Sequence, residues 1–329
     1  MRITASAPTR IDLAGGTIDI WPLYLFHPGA QTINAAISLR AHAHIEPRED
    51  DRVALVSIDT AREVVLQSDD QLRMDPTLPL LGRLAHHFGA KGITLTTRGE
   101  SPAGAGIAGS SALNIAVCGA LNAWTGRLAP PEVLLEIARD IEAQVINVPT
   151  GLQDYRPALY GGVAAVELGP GAVTRVGLDV DPQELQRRLV LCYTGEPRNS
   201  GTNNWEITKR HIDGDSHVFD CFERIRDTAV AMRAALVAGH WDEVARQLAI
   251  EWENRKRLAP GVTTATIDTL IARATAAGGQ AAKVCGAGGG GCLVVMAPPD
   301  RASAVREALG AGGARLLDFT IETDGLRLG

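Results

Sequence analysis

The chain has 329 residues, 45% hydrophobic and 21% charged, the balance of a globular protein long enough for two domains. With 35 Gly and 17 Pro it stays well below a low-complexity composition, which excludes disorder and collagen-like structure. A net charge of −6 and a pI near 5.8 lack the basic excess of a nucleic-acid binder, and five cysteines without a C-x-x-C pattern read as reduced, packed thiols.

The segment from Met1 to Pro8 lacks the roughly 7–15-residue apolar core of a secretory signal, so a cytoplasmic chain is expected. Strands are predicted over 2–7 and 11–14, and a long one over 32–46. Residues 53–58 and 63–67 pattern as a hairpin around Asp59-Thr60. Residues 78–88 read as a helix ended by Gly89, and 92–97 as a strand. The uncharged stretch between Glu100 and Arg127 opens with glycines and carries Asn114 and Asn122. It reads as a polar loop and a buried helix over 109–124, not as a span of about 20 apolar residues. Pro130-Pro131-Glu132 opens a helix to 145, because Pro and an acid suit a first turn. Strands over 162–168 and 173–178 follow, and a soft boundary near 180 divides the chain into 1–180 and 181–329. Beyond it come a strand over 189–193, a polar loop over 195–216, and helices over 218–238, 241–258 and 264–277. Strands over 281–284 and 292–297, a helix from 302 and a strand over 316–321 close the chain. Strands and helices do not alternate strictly, so the class is α+β.

Gly104-Ala105-Gly106-Ile107-Ala108-Gly109-Ser110-Ser111 follows a predicted strand and opens a predicted helix. Glycines admit close backbone approach, and successive N–H groups at a helix N-terminus make an anion cradle for which phosphate is the obvious guest. Gly104, Gly106 and Gly109 fit the dinucleotide pattern, but a second helix follows instead of a strand ending in an acid. The P-loop spacing also fits, except that Ser110 stands where its lysine belongs. A tight turn packing helix on strand is the plain alternative. A second cluster runs from Lys283 through Cys285 and Gly286-Ala287-Gly288-Gly289-Gly290-Gly291 to Cys292, between two predicted strands. Four successive glycines cost more backbone entropy than a hairpin requires, so a close approach to the backbone is expected there.

Three separated motifs make the chain resemble the GHMP kinase family of galactokinase, homoserine kinase, mevalonate kinase and phosphomevalonate kinase. They are Ser6-Ala7-Pro8-Thr9-Arg10-Ile11-Asp12-Leu13-Ala14-Gly15-Gly16-Thr17-Ile18-Asp19, the segment from Ser101 to Ala112, and Gly286 to Gly291. Their order and separations are family-like and span essentially the whole chain. The resemblance implies a two-domain α+β GHMP kinase fold. Its N-terminal α/β domain would be like that of a ribosomal protein, with a left-handed crossover, and its C-terminal domain ferredoxin-like, with nucleotide and sugar between them. Leu13-Ala14-Gly15-Gly16 with Asp19 and Pro22, Tyr193-Thr194-Gly195 with Arg198 and Ser200, Trp252 with Lys256, and Lys283 before the glycine run resemble one branch in particular. That is the sugar 1-kinases acting on D-glycero-D-manno-heptose 7-phosphate, with fucokinase domains beside them. Many members carry Gly-Leu-Gly or Gly-Leu-Ser where this chain has Gly106-Ile107-Ala108, a change that costs little unless the position needs a positive φ.

On this resemblance Asp154, in Thr150-Gly151-Leu152-Gln153-Asp154, accepts the proton of the attacking hydroxyl, and Arg10 holds its carboxylate ionised. A turn-capping Asp and a surface Arg are the plain readings. The loop from Gly104 to Ser111 would bind the phosphates of ATP. Asp19, Thr17, Gly288, Gly289 and Lys283 would meet the sugar. Arg198 would grip a distal phosphate, since Arg binds phosphate bidentately. Mg2+ takes few protein oxygens, and Ser110 or Ser111 with Glu142 would supply them; a solvated helix face is the plain reading of Glu142. The implied partner is a small-molecule sugar phosphate, with neither nucleic acid nor membrane and with room for a homodimer. The implied activity is ATP-dependent phosphorylation of an anomeric hydroxyl for nucleotide-heptose and surface-polysaccharide synthesis. Alternatives are a hexose or fucose 1-kinase, a non-catalytic sugar- and ATP-binding regulator, and an NAD-dependent oxidoreductase. Retention of Asp154, Arg10, Glu142 and both serines argues against the regulator, and the missing strand and acid against the oxidoreductase.

Overall fold

The computed structural model describes residues 2–67, 69–197 and 200–329, with side chains in the last span from 204 onward. The strands are β1 (Ile3–Ala14), β2 (Gln31–Pro47), β3 (Val53–Ser57), β4 (Arg62–Leu66), β5 (Ile93–Gly99), β6 (Val163–Gly169), β7 (Ala172–Gly177), β8 (Leu189–Tyr193), β9 (Ala281–Val284), β10 (Cys292–Met296), β11 (Arg315–Leu317) and β12 (Arg327–Leu328). The helices of the first half are α1 (Asp69–Met74), α2 (Pro79–Phe88), α3 (Gly109–Thr125), α4 (Pro131–Ile146) and α5 (Tyr155–Tyr160). Those of the second are α6 (Pro182–Gln186), α7 (Ser200–Ile212), α8 (Ser216–Ala238), α9 (Trp241–Arg255), α10 (Ala265–Ala276) and α11 (Ala302–Ala311). A short 3-10 turn covers Leu23–Phe26.

One sheet runs β12-β1-β2-β5-β3-β4, with β6 on β2 and β7 on β6; a second, antiparallel sheet runs β11-β8-β10-β9. Helices α2 to α5 cover one face of the larger sheet. Helices α8 and α9 fill the space between its other face and the smaller sheet. The predicted strands at 2–7 and 11–14 are one strand whose register against β2 shifts between Pro8 and Thr9. Pro8 lacks a backbone donor, and the irregularity absorbs it. Across that shift the strand also changes core: Ile3, Ala5 and Ala7 pack under α3, whereas Ile11 and Leu13 pack toward α8 and α9. The shift therefore sets the aim of Arg10 and Asp12.

The region predicted as polar loop, 195–216, contains helix α7. Its inward stripe is narrow and mostly polar (Ile207, Thr208 and His211), so no apolar period announces it. Helix α5 was not expected either, being six residues long with Pro157 in its first turn. After β11 the chain returns to the larger sheet, where Ile321 bridges Ile37 and β12 pairs with β1, a return that the 1–180 and 181–329 division does not anticipate. Arg40 fastens it, donating to the Gly325 carbonyl at 2.5 Å and to Glu322 at 3.1 Å. All five cysteines are buried and outside any disulfide. Among the described residues no helix is long and apolar enough to cross a membrane.

Candidate active site

Arg10 follows the register shift of β1 and is almost wholly buried. Its Nε and Nη2 donate to Oδ1 of Asp154 at 3.0 and 2.6 Å, and its Nη1 donates to the Gly106 carbonyl at 3.0 Å. The Arg10 backbone N–H donates to the Ile107 carbonyl at 3.0 Å. One residue thus fixes the aspartate and the glycine loop together. Burial opposes the Arg10 charge, but Asp154 and Asp12 outweigh it and raise its pKa. Asp154 caps α5 and is partly exposed, and its Oδ2 has no hydrogen-bond partner among the described residues. One carboxylate oxygen is pinned and the other is open at the pocket that Asp154 lines.

Both halves of the chain wall this pocket, with Thr17, Asp19 and Gln153 from one and Asn204, Arg255 and Gly286 from the other. Asp19 is buried, and its Oδ2 accepts the Gln153 backbone N–H at 2.9 Å. Burial and the neighbouring Asp154 push its pKa up to about 6, against the pull of that amide. A Cβ on Gly151 would lie 2.2 Å from the same oxygen, so glycine is what lets the loop close on the carboxylate.

Strand β5 delivers the glycine loop and α3 carries it away. Ala108 caps α3 with φ +61°, in the left-handed region, without a side-chain hydrogen bond. The position does need a positive φ, and alanine bears about 1–2 kcal/mol there. The first-turn N–H groups of α3 have no intrahelical acceptor and no side-chain cap, the arrangement that suits an anion. Ser110 and Ser111 donate to Glu142 at 2.7 and 3.3 Å, and the Tyr155 hydroxyl donates to it at 2.7 Å. Burial raises the Glu142 pKa over the opposing pull of Tyr155 and Ser110.

Beneath the pocket lies a second charged group. Lys283 is fully buried, its Nζ 3.2 Å from Asp12 and 3.0 Å from Glu251. Arg255 reaches the same two carboxylates at 3.5 and 3.3 Å and donates to the Gly286 carbonyl at 2.5 Å. Burial would raise the Asp12 pKa, but Lys283, Arg255 and Arg10 bring it below its ordinary value. Two acids and two bases, on β1, α9 and β9, neutralise one another out of water. Lys283, expected at the sugar, is therefore sealed in this cluster by its two carboxylates.

The second glycine run docks on the first loop. The Cys292 N–H donates to the Ala105 carbonyl at 2.6 Å, and a Cβ on Gly291 would lie 2.7 Å from that oxygen. The Gly289 N–H donates to the Val262 carbonyl at 2.8 Å. The close approach expected here is that of chain on chain. Gly286 and Ala287 line the pocket where Gly288 and Gly289 were expected to. Arg198 lies outside the described residues. Sequence reasoning missed Asp12, Glu251, Arg255 and Asn204. Glu251 and Arg255 sit at i and i+4 on α9, a spacing that usually marks an exposed pair.

Two family descriptions match the chain, GHMP kinases N terminal domain over residues 78–162 and GHMP kinases C terminal over 232–315, together just over half of it. The chain belongs to the GHMP kinase family. It is thereby a phosphotransferase with the expected two-domain fold. The D-glycero-alpha-D-manno-heptose 7-phosphate kinase of Campylobacter jejuni is 26% identical over 99% of this chain and 98% of its own. A mevalonate kinase of Thermococcus sibiricus is 24% identical over 100% and 98%. The crystal structure of a D-glycero-D-manno-heptose 1-phosphate kinase from Bacteroides thetaiotaomicron superposes with a TM-score of 0.80 at 26% identity, covering 99% of this chain and 98% of that one. In this GHMP kinase the donors gathered around Glu142 are one carboxylate and two serine hydroxyls beside an open helix terminus. That hard, oxygen-only set fits Mg2+ carried on phosphates.

Proposed function

We propose that this kinase transfers the γ-phosphoryl group of ATP to the anomeric C1 hydroxyl of a sugar, with D-glycero-D-manno-heptose 7-phosphate as the leading substrate and the 1,7-bisphosphate as product. The observation that carries the reading is the split carboxylate of Asp154, Oδ1 held twice by Arg10 and Oδ2 open at the pocket. Oδ2 takes the C1 hydroxyl proton while the sugar oxygen forms its bond to the γ-phosphorus and the bond to ADP breaks. Arg10, hinged to the Gly106 carbonyl, keeps base and phosphate loop in register, which is most of what phosphoryl transfer asks of a protein. The α3 N-terminus holds the phosphates, and Ser110, Ser111 and Glu142 would hold Mg2+, which neutralises phosphate charge when bound.

Two acidic groups, Asp19 and Asp154, face the acceptor. Their oxygens can accept from the several hydroxyls of a sugar. The heptose phosphate kinases among the relatives support the substrate class. The test is ADP release with Mg-ATP over paired free and phosphorylated sugars, with product position read by NMR. Turnover of the heptose 7-phosphate to the 1,7-bisphosphate is expected. Turnover of a free hexose or fucose alone would retain the mechanism and discard the distal phosphate contact assigned to Arg198. ATP binding without turnover of any sugar would overturn the reading.

A further inference from the structure

Away from the reacting groups, His27 and His211 face each other in a buried aromatic nest. Their Nε2 atoms are 2.9 Å apart, and His27 Nδ1 lies 2.5 Å from the Glu223 carboxylate on α8. Phe219 and Phe222 pack against both rings, and both histidines are buried. His27 ends the segment that begins with the pocket residues Thr17 and Asp19; His211 lies two helical turns from the pocket residue Asn204 on α7. The pair therefore ties together two pieces of the pocket wall contributed by different halves of the chain.

Proton counting makes this tie conditional. Two facing Nε2 atoms can share only one hydrogen. With His27 Nδ1–H donating to Glu223, the neutral pair is complete when His211 Nε2–H donates to His27 Nε2. His211 Nδ1 is then a bare acceptor, and it is buried with no hydrogen-bond partner among the described residues. Any added proton, whichever ring it enters, ends on that Nδ1, where no acceptor waits. The charged groups acting on the pair are Glu223 and Arg226 of α8, and Arg226 itself pairs with Glu223 and Asp227. Burial holds both rings below the ordinary histidine pKa; at His27 Glu223 opposes this and Arg226 adds to it, and a charged His27 lowers His211 further.

We propose that His27 and His211 form a proton-sensitive latch that positions α7, and hence Asn204, against the sugar. Neutral, the pair holds the wall closed. A proton on it drives His211 Nδ1 toward water and moves α7. The part of the test that uses a sugar rests on the sugar-kinase reading; the spectroscopic part does not. Side-chain proton–nitrogen spectra of the full chain are recorded from pH 8 to 5.5, with H27F and H211F assigning the rings and N204D the Asn204 amide. The expected result is one shared protonation step of both rings below pH ~6.5, accompanied by a shift of the Asn204 amide at the same pH. E223Q, which keeps the packing, moves that step to lower pH by removing the carboxylate. On an accepted sugar, KM rises at least threefold across the step while kcat changes less than twofold, and H211F shows the raised KM at pH 8. Rings that titrate independently, or an Asn204 amide that stays fixed while they titrate, would overturn the latch. Failure of the sugar readout with the spectral coupling intact would instead count against the sugar reading.

Discussion

Two arginine–aspartate groups lie a few residues apart on β1 and behave oppositely. Arg10 and Asp154 meet at the pocket with one carboxylate oxygen open. Asp12 meets Arg255 and Lys283 where all of its neighbours are dry. The residue types are the same, and access to solvent separates their work. A buried, mutually neutralised quartet can hold two domains in one arrangement, and it reaches the pocket only through Arg255. A pair with one oxygen exposed can exchange a proton.

The largest expected effect tests the open pair. Asp154→Asn keeps the size and the contact with Arg10, and it should lower kcat by at least about 100-fold while ATP binding, read by calorimetry, stays within about threefold. Near-normal turnover would remove the contrast altogether. Lys283→Met tests the sealed group. Removing one partner from a buried ion cluster costs about 3–5 kcal/mol, read as a lower denaturation midpoint, with kcat of the folded fraction within about threefold of wild type. A large loss of kcat at unchanged stability would mean that the quartet reaches the chemistry after all.

Asp19 stands between the two, buried like the quartet yet facing the pocket. Its folded pKa of about 6 exceeds the ordinary value, so its stabilising contribution is present at low pH and is lost as pH rises through 6. Its ionised form, the better hydroxyl acceptor, appears over the same interval. Sugar KM should therefore fall as pH rises through 6, and Asp19→Asn should remove the Asp19 share of that profile, leaving only the step of the His27–His211 pair, raise KM by about tenfold at pH 8 (~1.4 kcal/mol) and raise stability there. The smallest effect lies in the phosphate loop. Ala108→Gly should stabilise the fold by about 1 kcal/mol without loss of nucleotide binding, because glycine relieves the left-handed backbone. Destabilisation would show that the Ala108 methyl carries packing that outweighs its strain.

Most of the architecture was legible because long periodic segments report themselves; β2, α3, α4 and α8 lie within a few residues of their predicted spans. Helix α7 was not, because its buried stripe includes Thr208 and His211 where a pattern reader looks for Leu or Ile. At the site, Arg10, Asp19, Glu142 and Asp154 were nameable from motif spacing and resemblance, and the structure brings them around one pocket and one loop. What spacing could not give was partnership. Lys283 looked available because a lysine beside glycines in sequence says nothing of two carboxylates arriving from β1 and α9. The glycine run misled in the same way, since a close approach was foreseen but not that the approaching body is Ala105.

That docking has a consequence at the level of the gene. Every glycine codon is fixed by its first two bases, so any change there replaces the residue, while changes at the third base are silent. At Gly291, where a single added carbon would collide with the backbone of the other loop, each replacement pushes the two halves of the protein apart. A saturation library over this run should therefore show silent variation alone surviving at position 291, and likewise at 288, where an added carbon would lie 2.5 Å from the Val262 carbonyl.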